Sequence, residues 1–171
     1  SRHLYKLSID VGKDLVPVAP VTSVTMLLVV RASLPVRSVG ELIAYARANP
    51  GKLSYGSGGV GSGLHIAAEM FLHTAKIQAT HVPYKGTAPA LTDMLGDRLD
   101  FMIDTAHVIP HIKTGRLRLL AVARTTRSAM FPDTPTMAEA GTDMSVDSVH
   151  GIYAPAGTPR GIGRLLGPGK V

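Results

Sequence analysis

The residues best suited to bind an anion are concentrated in one short stretch, YGSGGVGSGLH. Gly56, Gly58 and Gly61 have the G-x-G-x-x-G spacing of dinucleotide-binding loops. Glycines let backbone N–H groups approach a ligand without interference from a Cβ atom, and a helix that begins near Ser62 has unpaired, partly positive N–H groups. The stretch predicts a site for phosphate or carboxylate, to which Ser57 and Ser62 add hydroxyl donors. The alternative is a flexible turn in which Ser62 only caps the helix.

The nucleotide-binding alternatives lack residues that their chemistry requires. A dinucleotide site needs an acidic residue about 20 positions after the loop to hold the ribose hydroxyls. The next predicted strand instead ends in HVPYKG, where Lys85 stands in place of a carboxylate. A P-loop needs Lys followed by Ser or Thr, and neither pair follows Gly61. These missing residues disfavour a nucleotide site. A phosphate- or nucleotide-binding α/β enzyme is therefore kept only as the alternative to a protein that binds a small anion without chemistry.

Other polar residues offer weaker constellations. His107 and His111 can share a helix face, but no third ligand or general base accompanies them, so we expect no metal. Asp104 ends a predicted strand, where it either accepts a hydrogen bond from a ligand amine or hydroxyl or caps the next helix. Ser57, His65 and Asp104 form a hydrolase triad only on paper, because no G-x-S-x-G turn supports it. We expect no enzyme activity and no cofactor, and we expect His65 either to face the loop or to pack.

Strands and helices alternate along the chain, which predicts an α/β fold with a mainly parallel sheet. Ser38 and Glu41 have capping-box spacing, and Thr87 is expected to cap a helix that contains Pro89. Apolar residues at i, i+3, i+4, i+7 and i+8 predict a helix that starts at Leu64. The predicted strands are 15–21, 26–31, 52–55, 77–84, 99–104, 117–123 and 149–155. A short helix is predicted over 106–115, and a Pro-rich turn with a short helix over 132–141.

Composition limits the class of protein and the kinds of partner. The chain has 171 residues, of which 45% are hydrophobic and 18% charged, so one domain or two small lobes with a packed core are feasible. The absence of Cys excludes disulfides and thiolate chemistry. The net charge of +6 suits an acidic small-molecule ligand. Nucleic-acid binding is not indicated, because the sequence has no basic stripe with interleaved aromatic residues. No apolar run approaches the length of about 20 residues that crosses a bilayer, so we expect no membrane span.

Several segments follow one another in an informative order: YGSGGVGSGLHIAAEMF, HVPYKGTAPALTDMLGDRLDFM, HIKTGRLRLLAVA, FPDTPTMAEAG and YAPAGTP. Together they resemble the solute receptors of tripartite tricarboxylate transporters, the Bordetella uptake gene (Bug) family, over residues 14–159. The resemblance implies a periplasmic binding protein of type II, with two α/β lobes that close on a small organic carboxylate. The membrane components of a tripartite transporter are the implied protein partners.

The resemblance also implies which residues meet the ligand. In this family the glycine-rich loop lines the cleft and contacts the ligand carboxylate, partly through water. Residues like Asp104 and Thr105 lie at the other end of the ligand and help to set selectivity. The expected ligand-binding residues are therefore Ser57, Gly58, Gly59, Gly61, Ser62, His65, Asp104 and Thr105.

Two family features have no counterpart in this sequence: the Pro-Phe-x-x-Gly-Gly type loop of the first lobe, and the long helices that follow the last segment. We therefore expect residues 1–31 to be a fragment of the first lobe with a hinge strand. Residues 32–149 form the nearly complete, ligand-binding second lobe, and residues 150–171 form the return hinge strand and a truncated helix from Pro159. A third interpretation is a truncated fragment without independent function.

Overall fold

The structure is a computed structural model that describes residues 8–159. Predictions for residues 1–7 and 160–171, including the helix expected from Pro159, lie outside the described residues. No helix in the described range is both long and apolar enough to span a bilayer. In chain order the elements are α1 (Val11–Asp14), β1 (Leu15–Thr25), β2 (Leu27–Arg31), α2 (Val39–Ala48), β3 (Ser54–Ser57), α3 (Gly63–Ala75), β4 (Thr80–Pro83), α4 (Thr87–Leu95), β5 (Phe101–Asp104), a 3₁₀ turn (Ala106–Val108), α5 (Ile109–Lys113), β6 (Leu117–Val122) and β7 (Asp147–Pro155).

The described residues divide into two compact units. The smaller unit contains the residues up to Val24 and those from Ser148 onward, and β1 and β7 form its two-stranded sheet. The strands approach closely at Gly151, where a Cβ atom would lie 3.0 Å from the carbonyl oxygen of Ala19. None of the described residues of this unit is fully buried. The larger unit, from Thr25 to Asp147, therefore contains the hydrophobic core.

The larger unit is built on a five-stranded sheet in the order β4-β3-β5-β2-β6. β3 pairs in parallel with β4 and β5, whereas β2 pairs antiparallel with β5 and β6. The predicted α/β lobe is confirmed, and its sheet is mixed because one strand of the five runs against the others. That strand, Leu27–Arg31, lies within the larger unit, whereas the predicted boundary after residue 31 placed it in the first-lobe fragment.

Helices cover both faces of this sheet. Leu28 and Val30 of β2 contribute to one apolar cluster, in which Phe71 of α3 is also buried. Leu27 and Val29 contribute to a second cluster with Met94 of α4. Successive side chains of a strand point to opposite faces, so a strand covered on both sides must be apolar throughout. This requirement explains the continuous run LLVV.

Three local predictions were wrong, each because a residue with positive φ or a helix end determines the geometry. Gly86, with φ +110°, is the N-cap of α4, and Thr87 is the first helical residue. Ile77 donates its amide to the carbonyl oxygen of Leu72 at the end of α3, so β4 begins only at Thr80. Within 132–141 the structure has turns, as predicted for the Pro-rich part, but the short helix predicted with them is also a turn, which ends at Gly141 with φ +87°.

Candidate functional site

The glycine loop connects the carboxyl end of β3 to the start of α3. Gly59 and Gly61 have φ values of +127° and +77°, which residues with a Cβ atom rarely adopt. At Gly58 a Cβ atom would lie 3.4 Å from Thr87 Cγ2 and 3.5 Å from the Thr87 nitrogen. The absence of a side chain at Gly58 therefore lets the loop approach the first turn of α4.

The loop satisfies several of its own polar groups. The hydroxyl of Ser57 contacts both the amide and the carbonyl oxygen of Gly59, each at 3.2 Å, and the amide of Ser62 donates to that same carbonyl. Ser62 Oγ accepts the amide of His65 at 3.2 Å, which confirms Ser62 as the N-cap of α3. The amide of Gly61 donates to Nδ1 of His65, also at 3.2 Å. The loop is thus held in one shape by its own side chains.

The remaining amides lie at the start of two helices. Among the described residues, no acceptor is found for the amides of Gly58, Gly63 and Leu64. The same holds for Thr87 and Ala88 in the first turn of α4, whose N-cap provides no side-chain hydrogen bond. Unpaired amides at a helix start attract anions, and Gly58 lies against the start of α4 in the same loop that leads into α3. This arrangement can bind a carboxylate or a phosphate.

Asp104 ends β5, which lies beside β3 in the sheet. Its side chain is completely buried, and Oδ1 accepts the amide of Thr105 at 2.7 Å. Oδ2 is buried without a hydrogen-bond partner among the described residues. Burial raises the pKa of this carboxyl above its ordinary value, while the Thr105 amide and the nearby His107 act in the opposite direction. Because parallel strands end at one edge of a sheet, Asp104 belongs to the same edge as the glycine loop.

A cluster of aromatic and ionisable side chains supports the loop, and the sequence did not predict it. Nε2 of His81, on β4, lies 2.7 Å from the hydroxyl of Ser57. The ring of His81 stacks on that of His65, with centroids 4.1 Å apart, and on that of Tyr55 at 4.8 Å. The hydroxyl of Tyr55 donates to Glu69, which lies one turn beyond His65 on α3. The i, i+4 spacing of His65 and Glu69 was visible in the sequence, whereas the position of His81 required the pairing of β4 with β3.

The structure does not bring together Ser57, His65 and Asp104 as a hydrolase triad. The hydroxyl of Ser57 contacts His81, whereas His65 contacts the amide of Gly61 and Asp104 contacts Thr105. Nδ1 of His107 lies 3.6 Å from Asp104 Oδ1, and His107 precedes α5, which holds His111. No group of three or more side chains able to hold a metal ion occurs within residues 8–159.

The predicted site residues thus form two groups at one edge of the sheet. Ser57, Gly58, Gly59, Gly61, Ser62 and His65 belong to one hydrogen-bonded loop. Asp104 and Thr105 form the second group, at the end of the neighbouring strand. The first turn of α4 was not predicted as part of the site. Its signal in the sequence was Gly86, directly before Thr87, because a glycine at that position leaves the helix start without a side-chain cap.

Comparison with known proteins gives consistent matches. The model of the tripartite tricarboxylate transporter family receptor matches residues 1–167. BugT of Bordetella pertussis is 38% identical over 148 residues, which cover 85% of this chain and 45% of BugT. The chain spans about half the length of the curated relatives that it matches.

Solved structures agree with this match. An R. palustris protein with adipate is 39% identical, with a TM-score of 0.84, and the match covers 92% of this chain and 54% of that protein. MatC from Rhodopseudomonas palustris with bound malate is 30% identical, also with a TM-score of 0.84, and the match covers 93% of this chain and 55% of MatC. BugD, at 33% identity and a TM-score of 0.80, is a periplasmic binding protein, and the match covers 89% of this chain and 52% of BugD.

Proposed function

Because this chain belongs to the tripartite tricarboxylate transporter receptor family, we propose that it captures a small organic carboxylate in the periplasm for the membrane components of such a transporter. The similar proteins bound to adipate and malate support a dicarboxylate-sized ligand. The larger unit, Thr25–Asp147, is proposed as the ligand-binding lobe. The described residues before and after it are proposed to belong to the first lobe and its hinge strands.

One observation carries this proposal: Gly58, in the loop that leads into α3, lies against the start of α4, where the first amides have no acceptor among the described residues. These amides offer several donors in a small space, together with the positive ends of two helix dipoles. A carboxylate has two oxygens, each of which accepts more than one hydrogen bond. We assign carboxylate contacts to Gly58 and the start of α3, and we assign the shape of the loop to Ser57, Gly59, Gly61, Ser62 and His65.

Asp104 is proposed to select among carboxylates. Its buried Oδ2 has no described partner, and an unsatisfied buried acceptor is costly. A ligand hydroxyl or ammonium group would supply the missing donor. Asp104 and Thr105 therefore favour hydroxy- or amino-substituted dicarboxylates over unsubstituted ones.

The experiment is a thermal-shift and calorimetric screen with malate, aspartate, citrate, adipate, nicotinate, NAD and ATP. We expect stabilisation by at least one carboxylate, with malate or aspartate ahead of adipate. The Asp104→Asn variant should lose that preference while still binding adipate, because the substitution leaves the helix starts unchanged.

Two other outcomes would contradict the proposal in different ways. Stabilisation by NAD or ATP but by no carboxylate would favour the phosphate-binding enzyme. No response to any compound, from a folded protein, would favour a fragment without independent binding function.

A further inference from the structure

We propose that Arg124 is a specificity-determining residue that binds the second carboxylate of a short dicarboxylate, whose first carboxylate lies at Gly58 and the start of α4. The inference rests on the proposed function, because it assigns the far end of the same ligand. It also names the ligand class: two carboxylates, with a hydroxyl or amino group between them that reaches Asp104.

The strand order brings these residues to one edge of the sheet. β3, β5, β2 and β6 are adjacent in that order, and β2 runs against both of its neighbours. The start of β2 therefore lies where β3, β5 and β6 end. At this edge Leu27 pairs with both Asp104 and Val122. Arg124 follows Val122 by two residues, so it lies beyond the same edge as the glycine loop.

The alternation of side chains places Arg124 on the face of the sheet that α4 covers. Leu27 and Val122 both belong to the second apolar cluster, which lies on that face. Residues two apart along a strand point to the same face, so Thr25 and Arg124 continue it beyond the edge. The contact between them agrees with this placement, because Nη1 of Arg124 donates to the hydroxyl of Thr25 at 3.3 Å.

The position assigned to the first carboxylate lies on this face too. Met102 of β5 belongs to the second cluster, so Asp104, two residues later, points to the same side. Gly56 pairs with Met102, and Gly58 lies two residues beyond this pair, level with Asp104. A Cβ atom at Gly58 would contact Thr87 at the start of α4. The α4 amides, the buried carboxyl group and the guanidinium therefore share one face.

The spacing of the three positions sets the order of groups in the ligand. From Gly58 to Asp104 is one strand separation, about 5 Å between backbones. From Asp104 to Thr25 is one strand sideways and two residues outward, about 8 Å. The three positions offer donors at both ends and, between them, the buried Oδ2 of Asp104 as an acceptor. A matching ligand has acceptors at its two ends and a donor between them.

Arginine suits a carboxylate at the outer position. A guanidinium has five N–H donors in a planar fork, and its pairs with carboxylates are frequently bidentate. The hydroxyl of Thr25 accepts from one of these donors. Arg124 is half-buried and has at least one further contact within the chain, so its side chain is held in place before a ligand arrives. A cation that is already ordered lowers the entropic cost of binding.

Lys85 is a second cation at this edge, but the alternation along β4 directs it elsewhere. Val82 and Tyr84 pack against the second cluster, on the α4 side of the sheet. Lys85 follows Tyr84 directly, so its side chain points to the opposite face. Lys85 is also exposed. We therefore expect Lys85 to make no contact with the second carboxylate.

Two pairs of ligands test the assignment on the full wild-type chain by titration calorimetry. Aspartate and asparagine differ in whether the far group is a carboxylate or an amide, and malate and 2-hydroxybutyrate in whether it is a carboxylate or a methyl group. Each dicarboxylate should bind about tenfold to a hundredfold more tightly than its partner, as expected for charge-assisted hydrogen bonds. Equal binding within both pairs would overturn this proposal and leave the proposed function intact. Failure of every carboxylate to bind would contradict the proposed function, and this inference with it.

Variants then assign the preference to a residue. Arg124→Gln removes the charge, and should lower the ratio of malate affinity to 2-hydroxybutyrate affinity about tenfold to a hundredfold. Arg124→Lys keeps the charge without the planar fork, so it should lower this ratio less. Arg116→Gln removes the same charge from an exposed position directly before β6, and should keep the ratio within about twofold of wild type. Lys85→Gln should keep it likewise.

Three results would overturn the assignment to Arg124. Arg124→Gln could weaken both members of a pair equally, which would give the residue a structural role alone. Arg116→Gln could lower the ratio as much, which would make net charge the cause, or Lys85→Gln could do so, which would place the second carboxylate on the other face. Melting temperatures show whether each variant folds. If Arg124→Gln does not fold, Arg124→Lys decides: an unchanged ratio in that variant would overturn the assignment.

Discussion

Asp100, directly before β5, and Asp104, the last residue of β5, have opposite environments, although both carboxyl groups are shielded from solvent. Asp100 accepts hydrogen bonds through both oxygens, from Arg31 at 3.0 Å and from the amide of Ser54 at 2.8 Å. Asp104 has one satisfied oxygen and one buried oxygen without a described partner. The first residue ties the sheet together, whereas the second costs stability when it is ionised.

The residue-scale prediction concerns the pH dependence of this cost. The folded pKa of Asp104 is raised above its ordinary value of 3.8, chiefly by burial, so the folded state retains the proton longer than the unfolded chain does. The contribution of Asp104 to stability is therefore lost as the pH rises from about 3.8 through the folded pKa. Asp104→Asn should raise the melting temperature of the ligand-free protein at pH 7, by an amount that shrinks toward pH 4, in calorimetric scans.

Asp100→Asn is the matched control, because it makes the same chemical change at a satisfied carboxylate. It should lower the melting temperature at pH 7, since both oxygens of Asp100 have partners to lose. If both variants shift the melting temperature in the same direction, the unsatisfied oxygen of Asp104 is not the cause.

The sequence predicts the residues of the glycine loop better than it predicts their partners. Glycines, Ser62 and His65 are adjacent in the chain, so their spacing predicts a loop and a cap. His81 lies on another strand, and only the pairing of Tyr55 with His81 brings its ring to the loop. A contact that depends on strand register cannot be read from local spacing.

At the scale of elements, α3 has two separable roles: it covers one face of the sheet, and its start presents amides to the site. Ser62 stabilises the helix that covers the sheet, because its hydroxyl accepts the amide of His65. Ser62 also lies next to the site, because the unpaired amides of Gly63 and Leu64 follow it directly. Substitutions at Ser62 can therefore separate stability from binding.

We predict that Ser62→Ala lowers the free energy of unfolding by about 1 kcal/mol, because it removes the cap. Ser62→Asp should retain that stability, since aspartate caps well, but should weaken carboxylate binding more than about tenfold because it places a negative charge at the helix start. Chemical denaturation and titration calorimetry provide the two measurements.

Ser38→Ala on α2 is the control for this pair. Ser38 caps its helix through the amide of Glu41 at 3.1 Å, so its loss should cost about as much stability as Ser62→Ala without changing affinity. Carboxylate binding by Ser62→Asp at wild-type strength would show that the start of α3 is not part of the site.

Helices were predicted well where periodicity and a cap agree. The apolar spacing from Leu64 and the cap at Ser62 predict α3, and Ser38 predicts the start of α2. The prediction failed at Thr87 because Gly86 can adopt the positive φ that places the cap one residue earlier. A preference for threonine at caps is weaker than this backbone requirement.

At the scale of the whole molecule, the two units differ in what stabilises them. The larger unit buries its sheet between helices on both faces. In the smaller unit, none of the described residues is fully buried. An isolated two-stranded sheet is marginally stable in water. The alternation of strands and helices predicted the α/β class of the larger unit, but the reversed direction of β2 depends on distant pairings with β5 and β6.

We predict that hydrogen exchange is slowest at the amides of β2 and β5, which pair in the middle of the covered sheet. Amides of β1 from Leu15 to Val24, and those of β7, should exchange at rates near those of the unfolded chain, because local opening there exposes little apolar surface. Mass-spectrometric exchange at neutral pH measures both. Equal protection of the two units would indicate that the β1–β7 sheet is stabilised by burial that its described residues do not show.

The chain contains five tyrosines and no tryptophan, so tyrosine dominates its ultraviolet emission. Two of these rings stand beside the helices that begin at the site. The hydroxyl of Tyr55 donates to Glu69 on α3, and that of Tyr84 donates to Asp93 on α4 at 2.7 Å. Burial, together with this contact, raises the pKa of Tyr84 to about 12. A nearby carboxylate acceptor quenches tyrosine fluorescence, so a shift of either helix on ligand capture would change the emission. The molecule thus carries an unlabelled optical reporter in contact with each of these two helices.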